Sequence, residues 1–209
     1  SGAPRDLHSF PTRRSSDLLV AEAPDVCPHL HVPIQSGSDR ILATMGRPST
    51  RQDLLDRLGA ARDRIPGLAL GLDVICGFPG ESDDDFAQTE ALVAASGTDS
   101  LHVFPFSPRP RTPAAGLDDD VLPAVKAARV ARLRALSQAR RCRRAASLVG
   151  HRVEVVDVSL RPDGRVASLA ADGTPVVRTD PGGLRPGRFD LTVTAAEGPA
   201  VVAAPREAR

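Results

Sequence analysis

The chain has 209 residues, a formal net charge of +1 and an apolar fraction of 41%, enough for one large domain or two small ones. No apolar run approaches the roughly 18 residues of a membrane span, and the N-terminus lacks the apolar core of a signal peptide. Three widely separated cysteines, Cys27, Cys76 and Cys142, make no disulfide framework and no zinc or iron–sulfur spacing, so a reducing, cytoplasmic setting is expected.

The first stretch, "HSFPTRRSSDLL" from His8 to Leu19, has apolar period of neither 2 nor 3.6 and reads as neither strand nor helix. Residues 8–18 are also, without a mismatch, a translation of DNA that resembles a widely used sequencing adapter. Residues 1–18 are therefore expected to be foreign to the protein and are left out of fold reasoning; the alternative is a natural disordered tail.

Beyond it the elements alternate. "LHVPIQ" (Leu30–Gln35) is a short β-type run ending in the turn-forming "SGSD". Ser49 or Thr50 can cap a helix to about Arg64, with Leu54, Leu55, Leu58 and Ala61 facing inward. "LALGLDVICGF" (Leu68–Phe78) is nearly continuous in apolar residues, as a strand buried on both faces would be. Ser82 then caps a helix with Asp83, Asp84 and Asp85 in its first turn, where the dipole favours anions, and Gly97 closes it. "LHVFPF" (Leu101–Phe106) is a third strand. This order reads as βαβ units in a parallel sheet, with 19–117 as one unit. The loops "QSGSD", "GFPGES" and "FSPRPRTP" fall at the strand C-terminal ends, the functional end of such sheets.

Residues 118–149 read as one long helix, from Asp118 to Ser147, with acids at its start, arginines at its end and an apolar stripe of Leu122, Val125, Leu133 and Leu136. After Gly150, short β-type runs broken by "PDG", "ADG" and "PGG" suggest about five strands in a small barrel over 150–205. Charge is segregated. Leu19 to Asp120 holds 8 basic and 16 acidic residues, whereas Val121 to Val153 holds 9 basic and none acidic. Arg129, Arg132, Arg140, Arg141, Arg143 and Arg144 on that helix are candidate contacts to RNA phosphates, with a solvated helix face as the plain alternative.

Other motifs carry less. "GFPGE" (Gly77–Glu81) can bring backbone close to a ligand at a helix N-terminus, or can be a tight turn with nothing bound. His29 and His31 share a strand face, but no third ligand stands at a recognised spacing, so they read as hydrogen-bonded sheet residues. Helix-start charge accounts for the Asp83–Asp85 and Asp118–Asp120 runs. Cys76 reads as a small core residue.

Together, "HLHVPIQSGSDRILATMGR", "LDVICGFPGESDDDF" and "LHVFPFSPRPRTPAA" resemble the C-terminal half of the radical S-adenosylmethionine methylthiotransferases. The basic helix and β-rich tail resemble that family's linker and its TRAM domain, a small RNA-binding barrel of OB-like size. The implied fold is α/β: the last three strands of a partial (β/α)6 barrel, then a small all-β barrel. "LHVFPFSPRP" is most similar to the branch that methylthiolates C2 of N6-threonylcarbamoyladenosine beside the tRNA anticodon. The isopentenyladenosine branch comes second, and a non-catalytic RNA-binding module is the reading from another class.

The resemblance implies S-adenosylmethionine at the strand ends, with Gln35 and Ser36 lining the site. Gly77, Phe78, Pro79, Gly80 and Glu81 would pass the adenosine, and Ser107 and Arg109 would face the reacting region. It implies [4Fe-4S] clusters in a full-length parent, tRNA as partner, and an N-terminal half that completes the enzyme. Three departures stand out. Arg111 replaces the usual glycine of "PRPGTP", and Thr98 stands where an aromatic is common. The Cys-x3-Cys-x2-Cys that holds the cluster is absent from the 209 residues, so the chain as given is expected to be inactive.

Overall fold

A computed structural model describes Val20, residues 26–178 and residues 183–204. The adapter-like residues 1–18 lie outside them. Three parallel strands, β1 (His29–Gln35), β2 (Ala69–Cys76) and β3 (Ser100–Pro105), form one sheet in the order β1-β2-β3. Helices α1 (Asp39–Thr44) and α2 (Arg51–Arg64) link β1 to β2, and α3 (Asp83–Ala95) links β2 to β3. Alternation does the sorting. Ile34, Leu70, Leu72, Val74, Cys76, Leu101 and Val103 point into one apolar core with Leu54, Leu58, Phe86, Leu92 and Val93. The intervening residues, among them His31, Pro33, Asp73, Ile75, His102 and Phe104, lie on the opposite face.

Each helix starts where its cap stands. Ser38 accepts from the Ile41 N–H, and Thr50 and Ser82 form reciprocal capping boxes with Asp53 and Asp85. Asp85 does more than cap. Its buried carboxylate accepts from the Ser82 N–H (2.9 Å) and hydroxyl (2.6 Å), from the Ser38 hydroxyl (2.6 Å) and from Arg40. Burial pushes this carboxyl up, but the bonds from Arg40, Ser38 and Ser82 outweigh it and hold the group well below the usual carboxylate range. The N-termini of α1 and α3 are thereby tied together, which holds two of the strand-end loops side by side.

The long helix starts later than the sequence suggested. Helix α4 runs Pro123–Ser147, with no acidic residue in its first turn. Proline fits the first helical position, and it pushes the residue before it to extended backbone, seen at Leu122 (φ −55°, ψ 141°). The helix therefore cannot reach back to Asp118. The acids serve tertiary contacts instead: Asp119 pairs with Lys126, and Asp120 accepts from the Gly80 N–H at 2.7 Å. Leu122, expected in the apolar stripe, is 67% exposed. The buried face is Lys126, Arg129, Val130, Leu133 and Ser137, and the Leu101 N–H donates to the Ser137 hydroxyl at 2.8 Å.

Strands β4 (Arg152–Leu160), β5 (Val166–Ala170), β6 (Pro175–Arg178), β7 (Arg188–Glu197) and β8 (Ala200–Ala204) close into a barrel in the order β4-β5-β6-β8-β7. All its pairings are antiparallel except β6 with β8. Closure removes free sheet edges from a small all-β unit. Its core of Val155, Ala170, Val176, Leu191, Val193, Val201 and Ala203 also takes in Ala145, from the end of α4.

Candidate functional site

The three loops converge at the C-terminal ends of β1, β2 and β3. Gln35 ends β1 next to a register shift and has a φ of 69°, a left-handed conformation unusual for a residue with a side chain. No hydrogen bond to the Gln35 side chain is formed among the described residues. Ser36 behind it is fully buried: its hydroxyl shares a 3.3 Å bond with Thr89 and accepts from the Ser38 N–H. The loop after β2 is likewise closed on itself. The Gly77 N–H donates to the Glu81 carboxylate (2.7 Å), the Glu81 N–H to the Phe78 carbonyl (2.9 Å) and the Gly80 N–H to Asp120. Gly77 has a φ of 73°, and a Cβ there would meet Cγ of Lys126 at 2.3 Å, so only glycine fits beneath that stem. Phe78 meets Phe106 edge-on at 5.1 Å, and Pro79 is buried beside it. Ser107 and Arg109 follow β3 and are exposed.

Glu81 is the electrostatic centre of this end. It is bonded to Arg129 at 2.7 Å, with side chains 1% and 7% exposed, and its second oxygen, Oε1, is buried without a partner among the described residues. Burial pushes the Glu81 carboxyl up, against the Gly77 N–H and the Arg129 charge.

The six arginines expected to contact RNA, which leave out the helix's seventh, Arg134, do not form one surface. Arg129 is buried on Glu81 and Asp83, and Arg132 pairs with Glu90. Arg140 donates to the carbonyls of Thr98 (2.7 Å) and Val93 (2.9 Å), closing the end of α3, and Arg144 pairs with Asp172 of the barrel. Arg141 and Arg143 are exposed and make no ion pair among the described residues. The sequence could not separate these roles, because the acids and carbonyls that engage four of the six are remote in the chain.

The cysteines stand on three elements: Cys27 exposed ahead of β1, Cys76 buried at the end of β2, Cys142 on α4. Burial pushes the Cys76 thiol up to about 12, the state of an inert core thiol. No cysteine set here fits an iron–sulfur cluster. For a nucleoside-type ligand the picture is mixed. Gln35, Ser107 and Arg109 offer open side chains at the strand ends, whereas Ser36 and the N–H groups of Gly77, Gly80 and Glu81 are spent within the fold. The sequence reading also missed one grouping. Asp73 and His102, on β2 and β3, come within ligand distance of His31 on β1; the signal was one polar residue at the matching outward position of each strand.

Arg111, the residue at the resembled family's glycine, has a φ of 69°. A left-handed side-chain residue costs roughly 1–2 kcal/mol. Arg111→Gly should therefore raise stability by up to about 1 kcal/mol after the added chain entropy of glycine, read as a higher urea midpoint; a lowered midpoint would show that the arginine makes compensating contacts.

Residues 14–93 match the family model of the radical SAM superfamily. The α/β unit has the radical SAM fold. A tRNA-2-methylthio-N(6)-dimethylallyladenosine synthase of Methylococcus capsulatus is 45% identical over 144 residues, covering 68% of this chain and 31% of that protein. A second such synthase, from Mycobacterium marinum, is 40% identical over 186 residues, covering 85% of this chain and 35% of that one. A third, from Geobacter sulfurreducens, is 40% identical over 176 residues, 78% of this chain and 40% of that one. The chain thus spans about a third of the length of the curated relatives it matches. Among solved structures, coproporphyrinogen III oxidase from Escherichia coli, described as a radical SAM enzyme, aligns with a TM-score of 0.47 at 17% identity over 69% of this chain and 39% of that one.

Proposed function

We propose that this chain is part of a radical SAM tRNA methylthiotransferase whose substrate is N6-dimethylallyladenosine in tRNA. The observation that supports it is the similarity just described, at 40–45% identity, to synthases carrying that name. It favours the isopentenyladenosine branch over the threonylcarbamoyladenosine branch suggested by "LHVFPFSPRP". In this reading Gln35, Ser107 and Arg109 contact S-adenosylmethionine or the nucleoside at the strand ends, and the Gly77–Glu81 backbone forms the wall beside them. S-adenosylmethionine bound there would supply the methyl group and, given one electron from a reductant elsewhere in the whole enzyme, the hydrogen-abstracting radical. The three cysteines of this sequence do not fit an iron–sulfur cluster, and in this reading its ligands belong to another part of the whole enzyme.

The barrel and the free arginines of α4 support tRNA as partner. Charge-reversal of Arg141 and Arg143 together should weaken binding of unmodified tRNA at least tenfold and lower the salt-dependence slope by about 2. Unchanged affinity and slope would remove this helix from the tRNA path. The substrate is tested in the source organism by deleting the locus and digesting total tRNA to nucleosides. Loss of 2-methylthio-N6-dimethylallyladenosine, with the threonylcarbamoyl counterpart intact, is the expected result. The reverse loss restores the other branch, and no loss of either leaves the chain as a non-catalytic RNA-binding module.

A further inference from the structure

On the sheet face opposite the apolar core, one residue from each strand meets at a single point. His31 Nε2 lies 2.5 Å from Asp73 Oδ1, and His102 Nδ1 lies 3.5 Å from the same oxygen. All three candidate ligand atoms fall within 4.8 Å of one another. We propose that His31, Asp73 and His102 form a three-ligand site for a divalent cation of the zinc class.

Three features carry this. The first is geometry. Tetrahedral zinc with nitrogen and oxygen ligands at about 2.0–2.2 Å places neighbouring donors about 3.3 Å apart, a value between the two separations observed. A small side-chain adjustment, with the proton between His31 and Asp73 displaced, would seat the ion. The second is preorganisation. The strands that carry the residues are locked in parallel register, with Asp73 directly beside His102 and His31 beside Gly71. Gly71 makes the room: a Cβ there would come within 2.5 Å of His31 Nδ1, so the imidazole lies where any larger residue would stand. The third is the donor set and its access. Two imidazoles and one carboxylate favour borderline transition ions over magnesium or calcium. The two histidines also border a cavity of about 230 Å³ that reaches Arg141 and the Asp172–Pro175 turn of the barrel, leaving space for water in the fourth coordination position.

The site needs neither S-adenosylmethionine nor tRNA, so its test is independent of the proposed enzymatic reading. Tag-free 209-residue protein is titrated with zinc chloride by calorimetry, with magnesium chloride as control. One equivalent of zinc should bind and magnesium should not. His31→Ala and His102→Ala should each weaken zinc at least tenfold. Both residues are exposed, and unchanged far-ultraviolet circular dichroism would verify folding. Gly71→Ala should weaken zinc too, by displacing an intact His31. A Cys27→Ser/Cys142→Ser double variant should bind as the parent does. Cobalt in place of zinc should give visible d–d bands without thiolate charge-transfer absorption. Failure to bind zinc, binding indifferent to both histidine variants, or binding lost with the cysteines would each overturn the proposal and leave a plain hydrogen-bonded triad.

Discussion

Replacing Arg129 with methionine should cost about 3–5 kcal/mol of stability, read as a lowered urea midpoint for the α/β unit. The reason is what the substitution leaves behind. Arg129 donates to the Glu81 carboxylate at 2.7 Å and its carbonyl at 3.1 Å, reaches Asp83 at 2.7 Å and stacks over Phe86. Methionine fills much of the volume but leaves Glu81 buried with the Gly77 N–H as its remaining donor. Burial already raises the Glu81 pKa, and loss of the guanidinium raises it further. An acid whose folded pKa exceeds its unfolded value destabilises the fold as pH rises through that window. The deficit of Arg129→Met should therefore be larger at pH 8 than at pH 5. Adding Glu81→Gln should recover part of it at pH 8. A deficit that is small and independent of pH would mean that water reaches Glu81.

Asp157→Ala should be as costly to the barrel, about 3–5 kcal/mol. Arg178 is fully buried and pairs with Asp157 at 2.9 Å, their side chains 0% and 1% exposed. The same carboxylate accepts from the Ser168 hydroxyl (2.6 Å) and the Arg185 N–H (2.8 Å), so alanine removes an acceptor and a counter-charge that three buried or half-buried donors share, while Arg178 keeps its bond to the Gly183 carbonyl. Burial pushes Asp157 up, but Ser168, the Arg185 N–H and Arg178 outweigh it and hold the carboxyl below its ordinary value. A depressed carboxyl contributes stability above its unfolded pKa and loses it as pH falls through the folded one. The parent barrel should therefore weaken below about pH 4, and the variant should lose part of that acid sensitivity. Hydrogen exchange should place the loss in β4, β5 and β6; equal loss across the α/β unit would mean that the two unfold as one.

What could be read in advance was what local chemistry dictates. Thr50 and Ser82 announce their helices because capping needs only residues three positions apart. The apolar run through β2 announces a strand, but the burial on both faces that it suggested is incomplete: Asp73 and Ile75, at outward positions, are only partly buried. Pro123 was visible too, but the acids before it suggested an earlier start, and the constraint proline places on Leu122 decided otherwise. The candidate site was legible only as loops. That Ser36 is spent on Thr89, that Arg129 belongs to Glu81 and that Arg140 closes α3 all depend on partners 42 to 53 positions away. The His31–Asp73–His102 group was hidden for the same reason: its spacing exists across strands and not along the chain.

Helix α4 begins near the strand ends of the sheet and finishes against the core of the barrel, where Ala145 is fully buried. With 25 residues and a rise of about 1.5 Å each, it is a rod of about 37 Å. The two halves of the molecule are thus indexed to one another by helical phase. Each residue added to its middle would turn the barrel by about 100° about the rod axis while lengthening it by only about 1.5 Å. The buried face of this helix is fixed by its contacts, and its length in whole turns is a coordinate of the fold: it sets which flank of the barrel stands on the side of the sheet's strand ends.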